Sequence, residues 1–216
     1  MRTASSHRAA TLFEQALTRA SGAEPIAGNR ARMLCDAREN YPAWLDAIKA
    51  ARRWIHFETY IIHDDHTGQQ FAEALAARAR DGLAVRVLYD WWGTFRMLPR
   101  RFLGTLREAG VDVRSFNPPR LDSPLAVFSR DHRKVVAVDG HVAFVTGLCV
   151  GNAWAGNEAK KVEPWRDTGL ELAGPAVAEV ERAFASMWAE AGTPLPPEEC
   201  PSMDTIPSAG DLEVRV

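Results

Sequence analysis

Cysteine is scarce in this 216-residue sequence: Cys35, Cys149 and Cys200 lie far apart and form no CxxC pair. Such an odd, scattered set favours neither a disulfide framework nor a structural zinc site, and it is typical of a reducing cytoplasm. No run approaches the roughly 18 to 20 apolar residues of a transmembrane helix, and the N-terminus lacks the apolar core of a signal peptide. The sequence therefore predicts a cytoplasmic protein whose contact with the inner face of a membrane would be peripheral.

An excess of positive charge is also missing. The chain has 26 Lys and Arg against 28 Asp and Glu, a formal net charge of −2, and no continuous basic stripe. Because nucleic-acid affinity depends on clustered positive charge, nucleic acid is not expected as a partner. The length and the 46% of hydrophobic residues suit one α/β domain with a large core.

Strand-like and helix-like segments alternate along the first half of the chain. The predicted strands, rich in β-branched and aromatic residues, are 54–62, 83–90 and 111–116. Strands separated by helices in this rhythm indicate right-handed crossovers and parallel pairing. Later segments predict two strands around an Asp-Gly turn, a further strand and a long helix: 132–138, 142–146, 167–174 and 175–192. We predict an α/β fold with a mixed, mostly parallel sheet and helices on both faces.

Composition divides the chain into three parts. Residues 1–32 are predicted to form an N-terminal helix, AATLFEQALTRA, and a loop. Residues 33–192 form the predicted α/β domain. Residues 193–216 are rich in proline and are predicted to be a linker, and their last residues, DLEVRV, begin a strand that would start a second half.

A histidine and a lysine stand two residues apart in DHRKVVAVDGHVAFVTG, residues 131–147. In an extended strand such side chains share a face, so His132 and Lys134 project together. Phosphodiester cleavage needs a nucleophile and fixed positive charge, and this pair supplies both without a metal. Asp139 opens the turn, where its carboxylate can bond the amides that follow. These residues alone leave open a β-hairpin that merely begins with charges.

The segment resembles the HKD motif, HxKx4Dx6GG, of the phospholipase D superfamily and its cardiolipin synthase-like group. The residues that match the motif are His132, Lys134, Asp139 and Gly147. Four further segments resemble that group in the same order: AIKAARRWIHFETYII, GLAVRVLYDWWGT, AGVDVRSFNP and PWRDTGLELAGPAVAEVERAFASMW. The resemblance implies a phospholipase D-like domain, similar to the N-terminal half of a two-motif member, that needs no metal or cofactor. It also implies phosphatidyl transfer of the cardiolipin synthase type, through a phosphohistidine at His132.

The resemblance assigns roles to the residues that follow the motif. Thr146 and Gly147 occupy the place of the two small residues of the family's GGxN or GSxN segment, and they would contact the phosphate. The family's Asn is replaced by Cys149, a weaker donor. Asn152 could substitute for that Asn, although a turn-forming role is the alternative.

A nucleophilic imidazole needs one tautomer, held by an acceptor at its other nitrogen. The resemblance places this acceptor at Asp167 in PWRDTG, which leaves Asp139 a more structural role. The alternative for Asp167 is an ion pair with Arg166 or a cap at the end of a strand.

The proposed chemistry needs two histidines, but His132 lies in the only HxK of the chain. The resemblance therefore implies a second HKD half, in the same chain or in a homodimer, and a substrate like phosphatidylglycerol at a membrane surface. The basic and apolar segment 94–108 could form a rim for anionic lipid, or it could be an ordinary amphipathic helix. The alternative functions are a phosphodiesterase or nuclease of the same superfamily, and an inactive half-domain.

Two other polar features bear on the site. His63, Asp64, Asp65 and His66 do not have the spacing of a tetrahedral metal site, so we expect a solvated loop there. Glu58 lies inside a predicted buried strand. Because a buried, unpaired carboxylate is costly, it should face a polar partner or the cleft.

Overall fold

The structure is a computed structural model that describes residues 3–95, 97–119, 128–157 and 161–216, with side chains from residue 12 onward. The helices are α1 (Thr3–Ser21), α2 (Asp36–Ala50), α3 (His66–Arg80), α4 (Arg100–Glu108), α5 (Asn152–Ala155) and α6 (Val177–Glu190). The strands are β1 (Ile26–Cys35), β2 (Trp54–Thr59), β3 (Ala84–Asp90), β4 (Asp112–Phe116), β5 (Val135–Val138), β6 (Val142–Val145), β7 (Thr168–Ala173) and β8 (Leu212–Val214). Among these described residues, no helix is both long and apolar enough to span a bilayer.

The described strands form one sheet in the order β4-β3-β2-β5-β6-β7-β1-β8. The α/β class and the mixed sheet are confirmed, but the expectation of mostly parallel pairing is wrong. Only β2, β3 and β4 pair in parallel, because α3 and α4 cross over between them. The remaining pairings of the described strands are antiparallel, since β5 and β6 form a hairpin and β7 returns beside β6 and then pairs with β1.

Helices cover both faces of the sheet, as predicted. Every residue of β2 is buried, the polar His56, Glu58 and Thr59 included. Ile55 and Phe57 point toward the face covered by α2 and α3, where Trp44 and Phe71 meet edge to face with ring centroids 6.0 Å apart. Burial of each such side chain contributes roughly 1.5–3 kcal/mol to folding. On the opposite face, β5 packs against α6 through Ala137 and its neighbours.

Strand β1 was not predicted. Its sequence contains Gly28, Asn29 and two arginines, and such residues are typical of a loop after α1. The strand also crosses the predicted boundary at residue 32. The polar Asn29 is fully buried, but its amide is satisfied: Nδ2 donates to Ile26 O at 2.6 Å, and Oδ1 accepts from Ala176 N at 2.8 Å. A tertiary hydrogen bond thus makes this polar strand possible.

Residues 193–216 do not behave as the predicted linker. Leu195 and Ile206 are buried against α6 and the sheet, and β8 pairs with β1 at the edge of the same sheet. The strand that was expected to start a second half therefore completes this sheet. The proline-rich composition predicted a linker, but prolines do not prevent the apolar residues between them, such as Leu195 and Ile206, from packing against the domain.

A buried polar network attaches this C-terminal segment to the sheet. His56 is fully buried, with Nδ1 bonded to Glu181 Oε2 on α6 and Nε2 lying 3.3 Å from Glu199 Oε2. Arg86 donates to both oxygens of Glu199, at 2.7 and 3.0 Å. Burial disfavours the charged imidazole, but the two carboxylates outweigh it and raise the pKa of His56. Burial likewise opposes the charge of Glu199, yet the bonds from His56 and Arg86 lower its pKa to about 2.

We expect His56→Leu to lower the free energy of unfolding by about 3–5 kcal/mol, because it leaves buried carboxylate charge without its partner. The contribution of His56 to the free energy of unfolding is complete below about pH 6.5, the pKa of the imidazole in the unfolded chain. It is lost as pH rises through the higher pKa of the imidazole in the folded protein. That of Glu199 is lost as pH falls from 4.5 toward about 2. Urea unfolding across this range measures both. A matched His141→Leu change, at an exposed histidine, should have little effect. Equal stability loss from the two variants would contradict the role of the network.

Candidate active site

The structure brings His132 and Lys134 together. Lys134 Nζ lies 3.0 Å from His132 Nδ1 and donates to the His132 carbonyl oxygen at 2.6 Å. The imidazole is exposed, whereas Lys134 is only 5% exposed, so the ring is open to solvent and the ammonium group beside it is enclosed. The pair precedes β5 and does not lie on it, because regular pairing begins at Val135, three residues later than predicted.

Lys134 lies in a partly enclosed environment. Burial lowers the pKa of its ammonium group, and the nearby acidic groups, Asp131 and Asp167 among them, oppose that lowering. The Tyr60 ring centroid lies 4.5 Å from that of His132 and 5.2 Å from Lys134 Nζ. Sequence reasoning missed Tyr60 as a site residue. No local pattern marks it, because the contact joins residues that are far apart in the chain.

Asp167 lies near the pair but does not bond His132 in the described structure. Its Oδ1 accepts from Gly147 N at 3.1 Å, and its backbone exchanges hydrogen bonds with Asp36. A Cβ at position 147 would stand 2.3 Å from Asp167 Oδ2, so a larger residue there would displace the Asp167 carboxylate. The alternative ion pair is absent too, since Arg166 bonds Asp36 at 3.1 Å. Asp167 thus holds the loop that follows β6, and its orienting role stays a prediction.

Thr146 is the residue of that loop most directly tied to the pair. Its amide donates to the Lys134 carbonyl at 3.2 Å, and its hydroxyl oxygen accepts from Leu148 N at 3.2 Å. The hydroxyl proton remains available to a phosphate oxygen. Gly147 is exposed beside it.

Cys149 and Asn152 are not placed as phosphate ligands. Cys149 is 3% exposed within the core under α2, where burial raises the pKa of its thiol. Asn152 Oδ1 accepts from both the amide and the hydroxyl of Thr67, at 3.1 and 2.8 Å, at the start of α3. Asn152 thus joins α5 to the start of α3, and its phosphate-binding role stays a prediction.

Asp139 lies at the opposite end of β5 from the pair. With Gly140 it forms the predicted turn, both residues having positive φ. The expectation that its carboxylate bonds the amides that follow is wrong. The carboxylate accepts instead from the amides of Arg52, Arg53 and Trp54, at 2.8–2.9 Å. Asp139 therefore fixes the start of β2 against the hairpin, and strand β5 separates it from His132.

We expect Cys149→Asn to destabilise the protein by about 1–3 kcal/mol, because a larger, polar amide would be forced into a closely packed core. The shift in the urea midpoint measures this loss. Cys35→Asn, at an exposed thiol, is the matched control and should change little. If Cys149→Asn kept its stability and raised turnover, the phosphate-binding role of this position would be restored.

The described residues contain no group of three or more His, Cys, Asp or Glu side chains arranged for a metal. Residues of the HDDH segment have other partners. Asp65 caps α3 by accepting from Gly68 N at 3.0 Å, and it also accepts from Asn152 N at 2.7 Å. Asp64 pairs with Arg101 at 3.2 Å.

The mixed sheet with an exposed histidine and a buried lysine at the head of its central hairpin defines a phospholipase D-like domain. Residues 44–188 match the family model described as cardiolipin synthase, PLD-like domain, and the chain belongs to that family. It is 40% identical over 184 residues to cardiolipin synthase A of Pseudomonas aeruginosa. The aligned region covers 85% of this chain and 37% of that protein. The chain thus spans just over a third of the length of this curated relative.

Solved structures share the fold at low sequence identity. Phosphatidylserine synthase from Haemophilus influenzae superposes with a TM-score of 0.61 at 16% identity, covering 86% of this chain and 44% of that one. Nuc from Salmonella typhimurium, a phospholipase D family member, gives a TM-score of 0.55 at 14% identity, over 75% of this chain and 95% of that one. These two likenesses support the fold.

Proposed function

We propose that this chain carries one half of the active site of a phosphatidyltransferase that acts on phospholipids in the manner of a cardiolipin synthase. The observation that carries the proposal is the exposed His132 beside Lys134, with 3.0 Å between Nδ1 and Nζ, in a member of this family.

In the proposed reaction His132 Nε2 attacks the phospholipid phosphorus. The N–P bond forms as the bond from phosphorus to the departing alcohol breaks, and a second histidine protonates that alcohol. The same histidine then deprotonates an acceptor such as phosphatidylglycerol, whose oxygen attacks phosphorus and releases His132. Water in place of the acceptor would give hydrolysis.

Lys134 and Thr146 would stabilise the phosphoryl oxygens. In the ligand-free arrangement the Lys134 ammonium group faces His132 Nδ1. A phosphate oxygen would attract this ammonium, and Nδ1 would then be free to carry the proton that leaves Nε2 nucleophilic. One such fixed donor typically contributes about 2.7–4 kcal/mol to the transition state.

The second histidine must come from another HKD half, in the same chain or in a second copy. This follows from the single HxK of the sequence. The longer length of the curated relative is compatible with a second half in one chain.

We further propose that the site meets a phospholipid surface from the cytoplasmic side. Trp92, Phe95 and Met97 are each about half exposed, and Arg130, two residues before His132, lies over the Trp92 ring at 4.9 Å. Exposed aromatic residues beside arginines suit an anionic lipid interface. Arg96 of the predicted rim lies outside the described residues.

The proposal is tested with vesicles of labelled phosphatidylglycerol in phosphatidylcholine, and with single-stranded DNA in a parallel reaction. The proposal expects labelled cardiolipin or phosphatidic acid and an acid-labile phosphohistidine on His132. DNA cleavage without lipid turnover would support the nuclease alternative. Inactivity of the correctly paired protein on both substrates would support the inactive half-domain.

A further inference from the structure

Two carboxyl groups are buried together beneath the segment that carries His132. The side chains of Glu58, on β2, and Asp131, immediately before His132, are 0% and 1% exposed. The proposed phosphatidyl transfer gives neither of them a role.

Hydrogen bonds tie both carboxyl groups to Arg133, the residue that follows His132. Arg133 Nη2 donates to Glu58 Oε1 at 2.9 Å, and Arg133 N donates to Asp131 Oδ1 at 3.2 Å. The amide of Asp131 donates to Asp90 Oδ2 at 3.0 Å, at the end of β3. These bonds hold Asp131 and Arg133, the residues on either side of His132, in place.

The charges around the pair do not balance if both carboxyls are ionised. Arg133 is the one cation bonded to them among the described residues, and it also donates to the Ala183 carbonyl of α6. Glu58 Oε2 and Asp131 Oδ2 are buried and receive no hydrogen bond from any described donor. The two carboxyl groups lie within hydrogen-bond range of each other. Such a pair is satisfied when the carboxyl groups share one proton, whereas two buried charges repel.

Asp90 is a further buried carboxylate next to the pair, because it accepts from the Asp131 amide. The ammonium group of Lys134 is a further nearby cation, whose pKa the charges of Asp131 and Asp90 raise. Glu181, on α6, bonds His56 and Trp54. Burial, and then the charge of Asp131, raises the pKa of Glu58 to about 9, against the opposing effect of Arg133. The burial of both carboxyl groups, their two oxygens without a donor and the raised pKa of Glu58 all favour one retained proton at neutral pH.

We propose that Glu58 and Asp131 are positioning residues that share one proton and thereby hold residues 131–134 in the arrangement that presents His132 to the phosphate. This inference rests on the proposed role of His132 as nucleophile. The pair does not touch the substrate. Loss of the shared proton at alkaline pH would place one more buried negative charge beside Asp131 and Asp90 and loosen the segment.

Infrared spectroscopy of the folded chain tests the shared proton directly. The carbonyl stretch of a protonated carboxylic acid should be present at neutral pH, shift in D2O, and disappear as pH rises through about 9. Glu58→Gln should lack this band. Glu199→Gln is the matched control, since Glu199 is buried but has a pKa of about 2, and it should retain the band. Absence of the band from the folded wild-type chain at neutral pH would overturn the proposal.

Histidine-selective NMR tests the positioning. The His132 ring signal, identified among the 6 histidines by its loss in His132→Asn, should shift as the infrared band disappears. In Glu58→Gln this step should be absent, while any step due to Lys134 remains. The same step in both proteins would show that the pair does not act on His132.

Neither measurement needs turnover, so the two proposals fail separately. A shared proton and a coupled His132 signal in a correctly paired protein without lipid transfer would count against the proposed function alone. Normal lipid transfer without the band would count against the carboxyl pair alone.

Discussion

His132→Asn should abolish phosphatidyl transfer, with a loss on the order of 10⁴-fold or more, because no other group can form the covalent bond to phosphorus. The melting temperature should stay nearly unchanged, since the imidazole is exposed and carries little packing energy. Turnover of labelled phosphatidylglycerol and thermal unfolding measure the two effects. A variant with appreciable activity would exclude the phosphohistidine mechanism.

Two comparisons sharpen this result. Lys134→Ala should lose on the order of 10²-fold or more, because it removes fixed charge from the transition state. Because Lys134 is buried, the stability of the Lys134→Ala variant must be measured alongside the activity of that variant. His141→Asn changes an exposed histidine in the hairpin turn and should leave activity intact.

A strictly monomeric form of the chain should be inactive, because one copy supplies one of the two histidines that the reaction needs. Light scattering combined with the lipid assay tests this expectation. If activity resides in a homodimer, equal mixing of exchanging wild-type and His132→Asn chains should leave about one quarter of the activity, since each site needs two intact copies.

A fall to one half in the same experiment would indicate that each copy works alone. Activity that appears only after addition of a separate HKD half would instead place the second histidine in another part of a longer protein. An active monomer without such an addition would refute the two-histidine scheme.

Local pattern was enough to predict much of the architecture. β2 was recognisable because its segment is rich in aromatic and β-branched residues, and the hairpin of β5 and β6 because Asp139 and Gly140 favour positive φ. The proximity of His132 and Lys134 was likewise predictable, since two residues of extended chain place both side chains on one side. These features depend on neighbours in the sequence.

Long-range contacts decided the rest. Patterns in the sequence were sufficient for the α/β class, for the resemblance to the family and for the histidine–lysine pair. Only the tertiary structure revealed that β1 and β8 complete the sheet, that Cys149 is in the core, and that Glu58 faces Asp131. At these positions the groups that bury a side chain, or that bond or charge-pair with it, come from segments far apart in the chain. A local pattern does not indicate which of these segments contact each other.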